Sequence, residues 1–254
     1  MSTLKTGDEH IRIDGMPTGY LLSDFWRWSS SDLLDNTLRG TFSEFIVGTA
    51  LDLDLTTGFE NWLPWDLTYP FQWQDALGQT YDEVRIEVKS ASYIQPWEQK
   101  KLSNIIFSIR PTVKWEPDGL RSGQRQRQSD VYVFCLYAET NRRTADPLIL
   151  DGWEFYIVPT WKLDEICGPQ KTISLNSLRQ LDPIRADFSG IQAAIVQCVQ
   201  GDECTPPPPG ILHSFCAFCH VILVYYYKAA HDSRAALFAT YFRFFWRSDH
   251  EETS

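Results

Sequence analysis

Glu87 and Lys89 stand two residues apart in Glu83–Tyr93, where Val84, Ile86 and Val88 alternate with Arg85, Glu87 and Lys89. Such alternation predicts a β-strand, and on a strand residues i and i+2 leave the same face. The carboxylate and the ammonium are then held side by side while the valines and isoleucine enter a core. A carboxylate binds a hard divalent cation, and a neighbouring lysine orients or deprotonates an attacking water. Phosphodiester hydrolysis needs a nucleophile, a Lewis acid and neutralisation of developing negative charge, and a carboxylate-held metal supplies much of that. Mg²⁺ takes only one or two protein carboxylates. Asp66, at the entrance to the preceding strand-like run, is the candidate for the second. A cross-strand ion pair on an exposed face is the plainer use of Glu87 and Lys89.

The elements that must position these residues are legible in outline. Ser31 reads as an N-cap for a helix from about Asp32 to Leu51. Leu34, Leu38, Phe42, Phe45 and Thr49 form one apolar face, and Leu33, Val47 and Leu51 a second, so the helix is expected between layers. Glu44 sits beside the second stripe, with Gly40 and Gly48 a turn away on either side, allowing close approach to a strand. Thr56–Trp62 is a short strand-like run, and Asp66–Trp73 carries Pro70, which suits an edge strand. Asn104–Arg110 is another β-type run. A polar loop, Glu116–Gln128, precedes Asp130–Ala138, apolar enough for a strand covered on both faces. Trp153–Pro159 is a further strand, Trp161–Ile166 and Ser174–Leu181 are helical turns, and Asp187–Val199 is a closing helix.

Asp66, followed twenty-one residues later by Glu87-Val88-Lys89, after a helix carrying an acid, resembles the PD-(D/E)XK nuclease superfamily. The "PD" half reads Pro64-Trp65-Asp66, with the proline displaced by one, and Arg39–Glu44 is similar to the first-helix segment that carries an additional acid. The resemblance covers roughly residues 30–160. It implies an α/β, restriction-endonuclease-like core: a central mixed β-sheet flanked by helices in the order α-β-β-β-α-β, with an extra C-terminal tail. It also implies a Mg²⁺- or Mn²⁺-dependent endonuclease of restriction, phage-defence or repair type, acting on DNA. Asp66 and Glu87 would be metal ligands, the Val88 carbonyl a third, Glu44 a supporting ligand through water, and Lys89 the group that positions the nucleophile. Ser90 and Gln95, just past the lysine, would lie beside the scissile phosphate. A catalytically inactive nuclease-like module that binds nucleic acid or protein is the alternative. A homodimer, or a defence-complex partner, is a further expectation, since a double-strand cut needs two sites.

Charge sets the terms for a nucleic-acid partner. The chain carries −10 overall, which argues against non-specific coating of nucleic acid. Yet Arg85–Arg127 holds nine basic residues against four acids, a surplus of five, on a body that is otherwise acidic. Within it Lys100, Lys101, Arg121, Arg125 and Arg127 are the candidates for phosphate contact, the Arg121–Arg127 loop (RSGQRQR) foremost.

The chain is expected to divide into an arm (1–29), a nuclease-like domain (30–200), a Pro-rich linker (201–210) and an aromatic, Cys-rich tail (211–254). Six irregularly spaced cysteines and a polar N-terminus point to a reducing, cytoplasmic setting. Cys216-Ala217-Phe218-Cys219-His220 matches a haem-attachment motif, but no haem is expected without an export signal or a distal Met. Zinc spacing around Cys216 and Cys219 fits no standard finger. Phe215–Tyr227 is apolar for thirteen residues, too short for a stable membrane span.

Overall fold

A computed structural model of the chain describes residues 4–57, 63–75, 78–113 and 125–201. All of them lie N-terminal to a division of the chain at Pro206.

The residues expected to be a loose arm are ordered into a hairpin and a helix. Strands β1 (His10–Ile13) and β2 (Met16–Leu21) pair antiparallel. They turn at Asp14-Gly15, both with positive φ, the residue pair a two-residue hairpin loop demands. Helix α1 (Leu22–Ser30) follows, with Asp24 accepting from the Leu21 N–H. Helix α2 (Asn36–Ala50) starts four residues later than expected, because Asp35 rather than Ser31 is its N-cap, accepting from the Thr37 and Leu38 N–H groups. Its buried residues are Arg39, Ser43, Ile46, Val47 and Gly48, while Phe45 is exposed. The inward stripe therefore runs through 39, 43, 46 and 47 rather than through Phe45. Gly48 packs against Leu55 and Leu67, the close approach expected of it, whereas Gly40 faces open space.

β3 (Leu67–Tyr69), β4 (Trp73–Gln74), β5 (Thr80–Tyr81), β6 (Val84–Ser92), β7 (Ile106–Ser108), β8 (Val131–Tyr137) and β9 (Trp153–Pro159) follow in order. Then come α3 (Thr160–Cys167), β10 (Thr172–Ser174), α4 (Leu175–Gln180), β11 (Ile184–Ala186) and α5 (Ile191–Gln200). The central sheet is mixed and five-stranded, in the order β11-β9-β8-β6-β3, with β6 and β8 parallel and its other neighbours antiparallel. β8 lies at its centre and every residue of it is buried, as its apolar run requires. β3, next to Pro70, is an edge strand. The 104–110 run shortens to β7, which leaves the central sheet and pairs with β10. Leu55–Thr57 is a 3₁₀ turn rather than the start of a strand, and residues 58–62 of that run lie outside the described residues.

Alternation sorts the sheet into two faces. Val84, Ile86, Val88, Val131, Val133 and Cys135 pack with Ile46, Val47 and Leu51 of the α2 region and Ile191 and Ile195 of α5. Tyr132, Phe134, Leu136, Tyr156 and Val158 pack with Leu163 of α3, Leu178 of α4, and Phe107. Asp130 fixes the β6–β8 register: its carboxylate accepts from both the backbone N–H and the guanidinium of Arg85, and its own N–H donates to the Arg85 carbonyl. Among the described residues no helix is long and apolar enough to cross a membrane. The 201–210 linker (beyond Gly201), the tail and its C-x-x-C-H lie outside them.

Candidate active site

β3 is three residues long and pairs only with Val84–Ile86, so the second half of β6 leaves the sheet with an open edge on that side. Asp66 closes part of it. Its N–H donates to the Ile86 carbonyl at 3.0 Å, extending the ladder by one residue. Its Oδ2 accepts from the Val88 N–H at 2.7 Å, which a backbone carbonyl would take in a longer strand. The Asp66 carboxylate is thus held to β6 by backbone geometry, opposite the point where Glu87 and Lys89 emerge.

Lys89 Nζ lies 2.6 Å from Glu87 Oε1 and 3.3 Å from Asp66 Oδ2. The three side chains keep 19–25% of their surface exposed, enough for a substrate to reach. Burial pulls the Lys89 ammonium toward a lower pKa, but the charges and hydrogen bonds of Asp66 and Glu87 outweigh it and the net shift is upward. The Glu87 carboxyl is raised, by burial first and also by the Asp66 charge, against the pull of Lys89. Glu44 joins the group from α2. Burial, then the charge of Asp66, with a smaller part from Glu87, push its carboxyl up to about 7 against the Lys89 charge.

Three acids and one lysine therefore share one electrostatic neighbourhood, as the sequence suggested. Tyr132, which sequence reading passed over inside an apolar run, stands directly across from Glu87 on β8. Its phenol is pushed up, by burial first and then by the Glu87 charge.

Among the described residues no three His, Cys, Asp or Glu side chains gather as a ready-made cation cage. Two carboxylates do converge on one ammonium, and hard carboxylate oxygens in that number suit Mg²⁺, which fills its remaining positions with water and phosphate.

The residues expected beside the phosphate are distributed less simply. Ser90 leaves β6 on the Val88 face, opposite Glu87 and Lys89, where it pairs with Cys135. Gln95 is corrected from a phosphate contact to a loop brace. Its buried amide donates to the Ser92 carbonyl at 3.0 Å, and its backbone N–H donates to Gln99 Oε1. Arg142 clamps the same loop, donating to the carbonyls of Gln95, Pro96 and Trp97 at 2.7–2.9 Å. Nothing in the sequence pointed to Arg142, because the contact spans some forty-five residues. Lys100 and Lys101 are exposed. Arg121 lies outside the described residues, and Arg125 is exposed. Arg127 is also corrected: its side chain is fully buried, paired with Asp164 and donating to the carbonyls of Ile109 and Gly168 at 3.0 and 3.1 Å. It cannot reach a phosphate.

A mixed sheet flanked by helices, with two carboxylates and a lysine gathered at its edge, defines an α/β protein of nuclease-like architecture. Residues 18–177 match the family model described as bacteriophage T4 endonuclease IV, and the chain belongs to that endonuclease family. The matched span contains Glu44, Asp66, Glu87 and Lys89. No curated protein and no solved structure matches the chain.

Proposed function

We propose that the chain is a Mg²⁺- or Mn²⁺-dependent DNA endonuclease of the PD-(D/E)XK type, with Asp66, Glu87 and Lys89 at its centre. The observation that carries this reading is the ammonium of Lys89 bridging Asp66 and Glu87 at 3.3 and 2.6 Å. Two carboxylates aimed at one cation are what a hydrolytic metal site requires, and membership of an endonuclease family supplies the class of substrate.

Asp66 and Glu87 would hold the metal, with the Val88 carbonyl beside them and Glu44 acting through water. When bound, the metal supplies Lewis acidity and neutralises charge on the phosphate. The chain's own residues do the rest. The Val88 N–H fixes Asp66 Oδ2, the oxygen that faces Lys89, and so holds the carboxylate at the open edge of β6. Lys89, whose ammonium is kept charged by its two acidic neighbours, orients the attacking water by donating to it and counters negative charge at the phosphate as the bond to the leaving oxygen breaks.

The test is cleavage of plasmid DNA in Mg²⁺ and in EDTA by the wild type, Asp66→Ala and Lys89→Ala. Cutting in Mg²⁺ alone, lost in both variants while their folds melt cooperatively, is expected. Unchanged cutting by both variants would remove the site assignment.

A further inference from the structure

An open cleft of about 700 Å³ lies apart from the catalytic carboxylates, lined by Arg110, Arg125, Gln126, Asp164, Gly168 and Lys171 among others. Arg110, Arg125 and Lys171 are exposed and have no ion-pair partner among the described residues. Among the described lining residues the one carboxylate, Asp164, is already engaged by Arg127. On a chain of net charge −10, three cations in one concavity with no ion-pair partner among the described residues form a local field of opposite sign.

The cleft is also a built feature. Buried Arg127 ties together three segments that are distant in sequence: Ile109, its own strand-like stretch, and 164–170. The Ile109 N–H donates to the Lys171 carbonyl, closing the same junction. Arg110, Arg125 and Lys171 project from the ends of those segments, so the guanidinium that cannot touch a ligand fixes the spacing of the three side chains that can. Asp164 lies on α3, whose Leu163 and Cys167 pack with Ile109 and Tyr132 in one core, and Tyr132 stands across from Glu87 on β6. The cleft therefore lies on the same face of the sheet as Glu87 and Lys89.

We propose that Arg110, Arg125 and Lys171 form a phosphate-binding track that holds the DNA backbone away from the scissile bond, with Arg127 as its positioning residue. This inference rests on the endonuclease reading of the centre at Asp66, Glu87 and Lys89. Arginine forks match phosphate oxygens bidentately, and an open cleft lets a strand run through instead of enclosing a small ligand. The acidic remainder of the surface keeps DNA on this path.

The test compares the wild type with a triple variant, Arg110→Ala/Arg125→Ala/Lys171→Ala. A control of equal net charge replaces exposed Lys5, Arg12 and Arg143 by Ala. Affinity for a fluorescein-labelled DNA duplex is measured in Ca²⁺ across a salt series, and cleavage is measured in Mg²⁺. Losing three phosphate contacts should flatten the slope of log K against log salt by about 2–3. It should also raise KM with kcat retained, while the control stays near wild type. If the cleft variant keeps the wild-type slope and KM, or the control falls equally, the track is overturned and the active centre stands. A wild type that binds DNA through a slope lost in the cleft variant, yet never cuts, overturns the nuclease reading and keeps the track. A wild type that binds no duplex overturns both.

Discussion

Lys89 is the residue on which the centre's two conditions meet. Without metal it is the counter-charge for Asp66 and Glu87, and in the proposed reaction it is the group beside the attacking water. Removing it should separate these roles. Lys89→Ala leaves two part-buried carboxylates facing each other, so in EDTA the variant should melt below wild type, and added Mg²⁺ should raise its Tm by more than it raises the wild type's. Cutting should fall by roughly 10²–10⁴-fold, the range for loss of a positioned acid–base group. Differential scanning fluorimetry with a plasmid assay checks both, and equal Mg²⁺ shifts in the two proteins would deny that Lys89 stands in for a cation. Glu44 makes a separate prediction. Its carboxyl is raised from 4.5 to about 7 in the fold, so between those values the folded chain binds the proton more tightly than the unfolded chain. The stabilisation linked to it is complete below the lower value and lost as pH rises through the higher one. In EDTA, Glu44→Gln should therefore flatten the fall in Tm between about pH 5 and pH 8 and melt higher than wild type at the alkaline end. Parallel Tm profiles for the two proteins would contradict this.

At the scale of elements, the site exists because β3 is too short to cover β6, and the cleft exists because Arg127 binds three segments at one point. Arg127→Ala would strand the buried Ile109 carbonyl and the half-buried Gly168 carbonyl, and should cost about 1–3 kcal/mol for each acceptor left unpaired. Asp164→Asn should cost much less, because the Asp164 side chain is 51% exposed and its pair is screened. Urea melts of the two variants decide the ranking, and equal losses would show that the pair, rather than the carbonyl contacts, holds the junction. These elements were unevenly legible. Alternation along 84–89 gave β6 and its faces, Pro70 gave the edge strand, and the apolar run gave β8, because each pattern reports burial directly. The start of α2 was not legible, since Ser31, Asp32 and Asp35 are all competent caps and only the turn at 32–35 selects the last. Arg127 and Gln95 were read as exposed because polarity in a loop is ordinarily solvated, and their partners lie up to forty-seven residues away. Glu44 was legible only as an acid beside an apolar stripe, and its tie to Asp66 depends on how α2 meets the sheet.

At the scale of the molecule, two hydrophobic cores are built from described residues that lie N-terminal to Pro206. α5 seals the face shared with α2: Ile191, Ala194, Ile195, Cys198 and Val199 are all buried there. The second core is complete with α3 and α4. Glu44, Asp66, Glu87 and Lys89, as well as Arg110, Arg125 and Lys171, fall inside residues 18–177, the span that matches the endonuclease family. Under the two proposals, catalysis and backbone binding both fall to this span, which lies N-terminal to Pro206. Ending the chain after Pro206 should leave the Mg²⁺-dependent cutting rate, the salt slope of duplex binding and the cooperativity of unfolding as they are in the full chain. A truncated chain that folds cooperatively but has lost cutting would place an essential group beyond residue 206, and the centre at Asp66, Glu87 and Lys89 would then be incomplete as described.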